Sequence, residues 1–186
     1  MCCDELSSRF ENMRSLNKIL LIAMLSSAGG ASSFLVSRGA TLLSLIPFTY
    51  PVASQFLSGL HVTWLILAAV LVRSKGSAIG TGLLKGLTEM LLGGNNVFAL
   101  LLSLTEGLVA ETVFDTFQNT RTVSVYLAGG LSSASNLIIV TLFFLPQLPF
   151  WFYAAMFVAS FASGLLFAGY LSSQICKVLP ANLKFK

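Results

Sequence analysis

From Gly39 to Val72 the chain runs for 34 residues without an Asp, Glu, Lys or Arg. About 20 apolar residues cross the hydrocarbon core of a bilayer as a helix rising 1.5 Å per residue. The uncharged run is therefore too long for one crossing and must be divided. Pro47 and Pro51, in "LIPFTYP", divide it, because proline lacks the backbone donor and clashes inside a helix. A partly buried loop around the prolines and a crossing over 55–72 follow. The rest of the composition agrees. Of 186 residues 55% are hydrophobic and 10% charged, with a mean hydropathy of +0.84, whereas soluble domains carry about 25% charged residues. Such a surface faces lipid. The net charge of +4 is small and lies between the apolar runs, which is a pattern of membrane topology rather than of nucleic-acid binding.

Applied along the chain, this reasoning predicts an all-α membrane protein, a compact bundle of six transmembrane helices at about 19–36, 55–72, 77–92, 97–117, 123–144 and 151–173. Arg38 closes the first, Arg73 and Lys75 the second, "GGNN" the third and "PQLP" the fifth. Six crossings put Arg9, Arg14, Lys18, Arg73, Lys75, Arg121, Lys177, Lys184 and Lys186 on one side and Arg38 alone on the other. The positive-inside rule makes the first side, with both termini, cytoplasmic in a multi-pass protein of the cell membrane. The organisation expected is a cytoplasmic segment over 1–18, a transmembrane domain over 19–176 and a basic cytoplasmic tail over 177–186. The N-terminal segment, with Asp4, Glu5 and Glu11, is too long and acidic for a cleaved signal, so the first apolar stretch is read as a retained span. Cys2, Cys3 and Cys176 lack zinc-ligand spacing and read as free thiols.

Helices in lipid associate through small residues that let backbones approach. Ala23, Ser27 and Ala31 recur at steps of four in the first span, Ala78, Gly82 and Gly86 in the third, and Ser160, Gly164, Ala168 and Ser172 in the sixth. Each is a packing face, for the bundle or for a membrane partner. "GTGLLKG" at 80–86 is helix packing and not a phosphate loop, since the G-x-x-x-x-G-K-[ST] order is absent. No ATP site, cofactor or metal site is expected in this chain.

Ionisable residues inside a span are costly and mark functional sites by default. Glu89 lies on the small-residue face of the third span, Lys85 near its middle, Glu106 near the middle of the fourth, and Glu111 further along it. The short "GGNN" link makes spans three and four a tight hairpin, which puts Lys85 and Glu106 at similar depth, able to pair. Glu111 is placed either in the site or as a brace toward Lys75 or Arg121, and Asp115 at the interface. His61 and Trp64 in span two, Asn95 and Asn96 at the hairpin tip and Asn136 in span five add polar and aromatic groups in the outer half, while Trp151 and Tyr153 fit an interfacial belt. One histidine without a neighbouring cysteine makes a structural metal site improbable, and neither a Ser–His–Asp order nor H-E-x-x-H is present. Carboxylates accept from an amino group on a heteroaromatic ring, Asn donates and accepts, and an aromatic ring stacks on another or over a cation. The set Glu89, Asn95, Asn96, Glu106, Glu111, Trp64, His61 and Asn136 therefore suits a small, flat, polar molecule.

"LTEMLLGGNN" followed by "EGLVAETVF" resembles the substrate-binding S components of energy-coupling-factor (ECF) transporters, in particular the YkoE-type group associated with hydroxymethylpyrimidine and thiamine. The resemblance rests on Glu89, Leu91, Leu92 and Gly93, and on Gly107, Leu108, Ala110, Glu111, Val113 and Phe114, and covers about 73–117. The chain departs from the group at Lys75-Gly76, where a Pro-Gly pair is usual, at Gly82, where a second acidic residue is usual, and at Glu106, where glutamine is usual. The resemblance implies a subunit that captures a thiamine-related pyrimidine from outside, without enzymatic activity. A separate transmembrane coupling protein and two cytoplasmic ATPases would drive its release inside. It also implies docking to the coupling protein through Ala23, Ser27 and Ala31. Three other readings stand beside it: an assembly protein whose carboxylates merely pair with Lys85 and Arg121, a stand-alone proton-coupled carrier, and an intramembrane lipid enzyme using Glu106 or Glu111, which would lack the usual metal-binding aspartates.

Overall fold

The computed structural model describes residues 15–43, 50–72, 74–93, 97–117, 121–144 and 149–178. They form six helices: α1 (Ser15–Leu43), α2 (Tyr50–Val72), α3 (Ser77–Gly93), α4 (Val97–Thr116), α5 (Arg121–Phe144) and α6 (Phe150–Val178). Five are long and apolar enough to cross a membrane; α3, at 17 residues and carrying Lys85 and Glu89, is shorter. The helix order follows the expected spans, with one correction. The apolar stretch of α1 fit to cross a membrane ends at Gly39, beside Arg38 as expected; the helix itself continues to Leu43, with the Arg38 guanidinium 5.1 Å from the Phe34 ring centroid. The correction is at Pro51, which does not break a helix. It falls in the first turn of α2, where its missing N–H would have had no intrahelical partner. Helix α6 winds as α-helix to Ser163, as π-helix over Gly164–Leu171, and as α-helix again from Ser172. Pro47, Asn95 and Asn96 lie outside the described residues.

Helix α2 is the axis. It touches all five other helices, and α1, α3, α4, α5 and α6 follow one another around it, with no contact between α1 and α6 among the described residues. Its second half is the core: Val62, Leu65, Ile66, Leu67, Ala69, Val70 and Leu71 pack with Ala78 of α3, Ala110 and Val113 of α4, Val125 and Ala128 of α5 and Ala168 and Cys176 of α6. The packing at this end of the bundle is mainly aliphatic. The polar interior begins above it.

The small residues sort into two kinds of face. Ala78, Gly82 and Gly86 are buried, as are Ser160, Gly164, Ala168 and Ser172, so these stripes are internal. In α1 the buried stripe is instead Ser26, Gly29 and Gly30, while Ser27 and Ala31 are exposed and Ala23 is half-buried. The inward stripes allow hydroxyl groups to tie helices together. Ser58 Oγ of α2 lies 2.5 Å from Ser133 Oγ of α5 and 2.9 Å from Ser160 Oγ of α6. At the start of the π-helical turn the Gly59 N–H donates to Ser163 Oγ at 3.0 Å, and Ser163 Oγ donates to the Phe56 carbonyl. Such bonds add about 0.6–2 kcal/mol each in lipid, where the apolar driving force between helices is weak.

Candidate functional site

Helices α3 and α4 approach so closely that side chains meet across them. A methyl group at Gly107 would stand 2.7 Å from the Ala78 carbonyl oxygen and 3.2 Å from Ile79 Cα, and one at Gly86 would stand 2.8 Å from Leu100 Cα. Lys85, one residue before Gly86, and Glu106, one before Gly107, are brought into register by that contact. Both are fully buried, and Lys85 Nζ lies 3.0 Å from Glu106 Oε2.

Lys85 is the centre of a larger cluster. Its ammonium also ion-pairs with Glu89 Oε1 at 3.0 Å, one helical turn further along α3, and donates to Ser103 Oγ at 2.9 Å. Ser103 Oγ in turn donates to Glu89 Oε2 at 3.3 Å. Glu106 is held from two other helices. Asn136 Nδ2 of α5 donates to its Oε1 at 2.5 Å, and Ser132 Oγ donates to its backbone carbonyl at 3.0 Å. His61 Nδ1 of α2 stands 3.3 Å from Glu106 Oε1 and 3.3 Å from Lys85 Nζ. An ammonium only donates and a carboxylate only accepts, so Nδ1 serves one of them, and a neutral imidazole satisfies either arrangement. The cluster thus draws on α2, α3, α4 and α5. Among its carboxylates Glu106 is sealed, whereas 12% of the Glu89 side chain is exposed, which makes Glu89 the accessible edge.

Of the residues singled out from the sequence, His61, Glu89, Glu106 and Asn136 come together here. Trp64 borders the cluster through α1: a methyl group at Gly29 would stand 3.1 Å from Trp64 Cβ and 3.4 Å from Lys85 Cδ. Glu111 stands apart. Its Oε1 accepts from the Gly76 N–H at 2.6 Å and its Oε2 from the Ala78 N–H at 3.0 Å. Gly76 has φ +82°, a conformation that favours glycine, and the carboxylate holds the first turn of α3 where amides lack intrahelical partners. Glu111→Ala is therefore expected to lower stability by about 1–2 kcal/mol, as loss of a helix cap does, while leaving ligand affinity within about twofold; thermal unfolding and a ligand titration on the same preparation check both. Asp115 is exposed near the end of α4. Ser103 and Ser132 were missed from the sequence. The one signal for Ser103 was its place one turn before Glu106 on the same face of α4.

The cluster can bind and orient. Two carboxylates, an amide and an imidazole converge on one place, and among the described residues no donor reaches the buried Asn136 Oδ1. A buried acceptor in that state costs free energy until a donor reaches it. Comparison with known proteins gives a family and a fold. A family model described as "ABC-type cobalt transport system, permease component" matches residues 17–135. A solved structure titled "Crystal structure of an S-component of ECF transporter" matches with a TM-score of 0.79 and 22% identity, over 88% of this chain and 84% of that one. No curated protein matches the chain.

Proposed function

Because the chain belongs to the family of ABC-type cobalt transport system permease components, we propose that it is the substrate-capture subunit of an ECF importer, and that its ligand is a thiamine-related pyrimidine, hydroxymethylpyrimidine or thiamine. It is a multi-pass protein of the plasma membrane with the fold of an S component. The observation that carries the ligand class is the composition of the cluster. Glu89, Glu106, Asn136 and His61 offer acceptors and an amide donor to an aminopyrimidine ring, and Trp64 stands beside them to stack or report.

The family description names cobalt, but the donor set does not favour a bare divalent ion. The position such an ion would take between Glu89 and Glu106 is filled by the Lys85 ammonium, 3.0 Å from an oxygen of each. Among the described residues no group of three or more His, Cys, Asp or Glu side chains is arranged to hold a metal. Cobalt enters the test as a competing substrate. The same reading places both termini in the cytoplasm and supplies energy from partners, a transmembrane coupling protein and two ATPases. For docking to the coupling protein it assigns the α1 face of Ala23, Ser27 and Ala31, of which Ser27 and Ala31 face outward.

Tryptophan fluorescence tests the ligand class, since Trp64 and Trp151 are the only tryptophans. In nanodiscs, hydroxymethylpyrimidine or thiamine is expected to quench saturably. The signal should vanish in Trp64→Phe and persist in Trp151→Phe, because Trp151 is two-thirds exposed and at the start of α6. A saturable response to cobalt chloride and none to either pyrimidine would sink the proposed ligand. Silence toward the whole panel in folded protein would favour a structural pairing of the charges.

A further inference from the structure

The charges in the cluster do not balance. Glu89 and Glu106 contribute two negative charges and Lys85 one positive charge; with His61 counted as the neutral imidazole, its Nδ1 3.3 Å from the Lys85 ammonium, the group carries minus one. No other charged side chain among the described residues compensates it. Among the described residues, the charged side chains around His61 are Glu106, Lys85 and Glu89. Helix α5 faces the group with Asn136 and Ser132, which are uncharged, and α1 approaches Lys85 through Gly29 and Gly30. Glu111 is engaged at the start of α3. A net charge inside a bundle is costly unless a counter-charge joins it. Asn136 Oδ1, which no described residue reaches with a donor, adds one more acceptor.

We propose that Lys85 fixes the charge of this site at minus one and thereby selects a ligand with a single positive charge over neutral and doubly charged compounds. The inference rests on the reading of the cluster as the ligand site. A monocation brings the group to zero. A neutral ligand leaves the negative charge buried, and a dication turns it into a positive one. Lys85 acts as a resident counter-ion that occupies half of the available negative charge in advance. Between the two pyrimidines named above, the site thus prefers thiamine, whose thiazolium is permanently cationic, to hydroxymethylpyrimidine, which is neutral at pH 7.

Isothermal titration of the full chain in nanodiscs tests this with four probes: thiamine, hydroxymethylpyrimidine, cobalt chloride, and N-benzylpyridinium as a monocation without a pyrimidine. The wild type is expected to bind thiamine at least about tenfold more tightly than hydroxymethylpyrimidine. Glu89→Gln, a conservative change at the partly exposed edge, makes the cluster neutral and should remove that preference. The double variant Lys85→Met/Glu89→Gln returns the count to minus one and should restore the preference although two polar contacts are gone. Lys85→Met alone, at minus two, should gain measurable cobalt binding. An unchanged preference in Glu89→Gln, or a double variant no more selective than Glu89→Gln, overturns the charge rule. Equal affinity of the wild type for both pyrimidines overturns it too and leaves the pyrimidine ligand standing. Binding of N-benzylpyridinium with neither pyrimidine bound keeps the charge rule and overturns the pyrimidine ligand. No binding of any probe by protein with a cooperative thermal transition overturns both.

Discussion

Glu106→Ala should abolish ligand binding and lower the thermal midpoint in detergent by on the order of 10 °C. Removing one partner of a buried ion pair costs about 3–5 kcal/mol, because the other charge is left uncompensated, and each kcal/mol moves the midpoint of a chain this size by about 2–4 °C. Here the stranded charge is Lys85, fully buried with its stem against α1. Glu89 would retain it only from the accessible edge. Asn136 would lose its acceptor as well, leaving its Nδ2 as unsatisfied as its Oδ1 already is. The double variant Lys85→Met/Glu106→Ala removes both buried charges, and it is expected to recover more than half of the lost stability while ligand affinity stays low. If the single variant instead unfolded within about 2 °C of the wild type, the pair would contribute little to holding α3 on α4, and the tie would have to be sought in the backbone contacts. Differential scanning fluorimetry with a thiol-reactive dye, in a Cys2→Ser/Cys3→Ser background, is suited to the measurement, since the remaining thiol, Cys176, is buried in the folded bundle.

That pair was legible in the sequence because its cause is local. The "GGNN" link forces a hairpin, and a hairpin sets Lys85 and Glu106 at equal depth. The (i, i+4) spacing of Lys85 and Glu89 is equally local, since two opposite charges one turn apart on a helix meet. Helix number and order followed from the gaps between charges, since the length of hydrocarbon is a fixed ruler. What the sequence did not reveal depends on contacts between distant segments. His61 and Asn136 join the cluster from α2 and α5, 45 and 30 residues from Glu106. The hydroxyl ties Ser58–Ser133–Ser160 span 75 and 102 residues, and serine has no periodic signature that distinguishes a tie from a lipid-facing polar group. The π-helical turn of α6 has no proline to announce it; glycines meet there instead, with Gly129 and Gly164 in backbone contact. For Glu111 the sequence left two readings, a ligand contact or a brace, and its oxygens accept from two backbone amides at the start of α3, which agrees with the brace.

The largest effect expected of an uncharged substitution is at the α3–α4 contact, and it concerns a departure from the resembling group. Where that group carries an acidic residue early in the third helix, this chain has Gly82. A Cβ at Gly82 would collide with the Ser103 carbonyl and stand 3.3 Å from Gly107 Cα. No side chain fits there unless α4 retreats, and α4 carries Glu106 and Ser103, two of the ligands of Lys85. Gly82→Glu is thus expected to be far worse than a neutral restoration of a family residue. It adds a carboxylate to a group already at minus one and forces the two helices apart. Overpacking alone costs about 1–3 kcal/mol for small insertions, and the buried charge adds to that. Gly82→Ala isolates the steric part and should cost less than Gly82→Leu, which matches Glu in bulk without its charge. The order of thermal midpoints expected is wild type, then Ala, then Leu, then Glu, with ligand binding lost by Leu because the Lys85–Glu106 distance opens. Binding retained in Gly82→Leu would show that α4 can shift without disturbing the cluster, and would place the determinants of affinity on α2 and α5 instead.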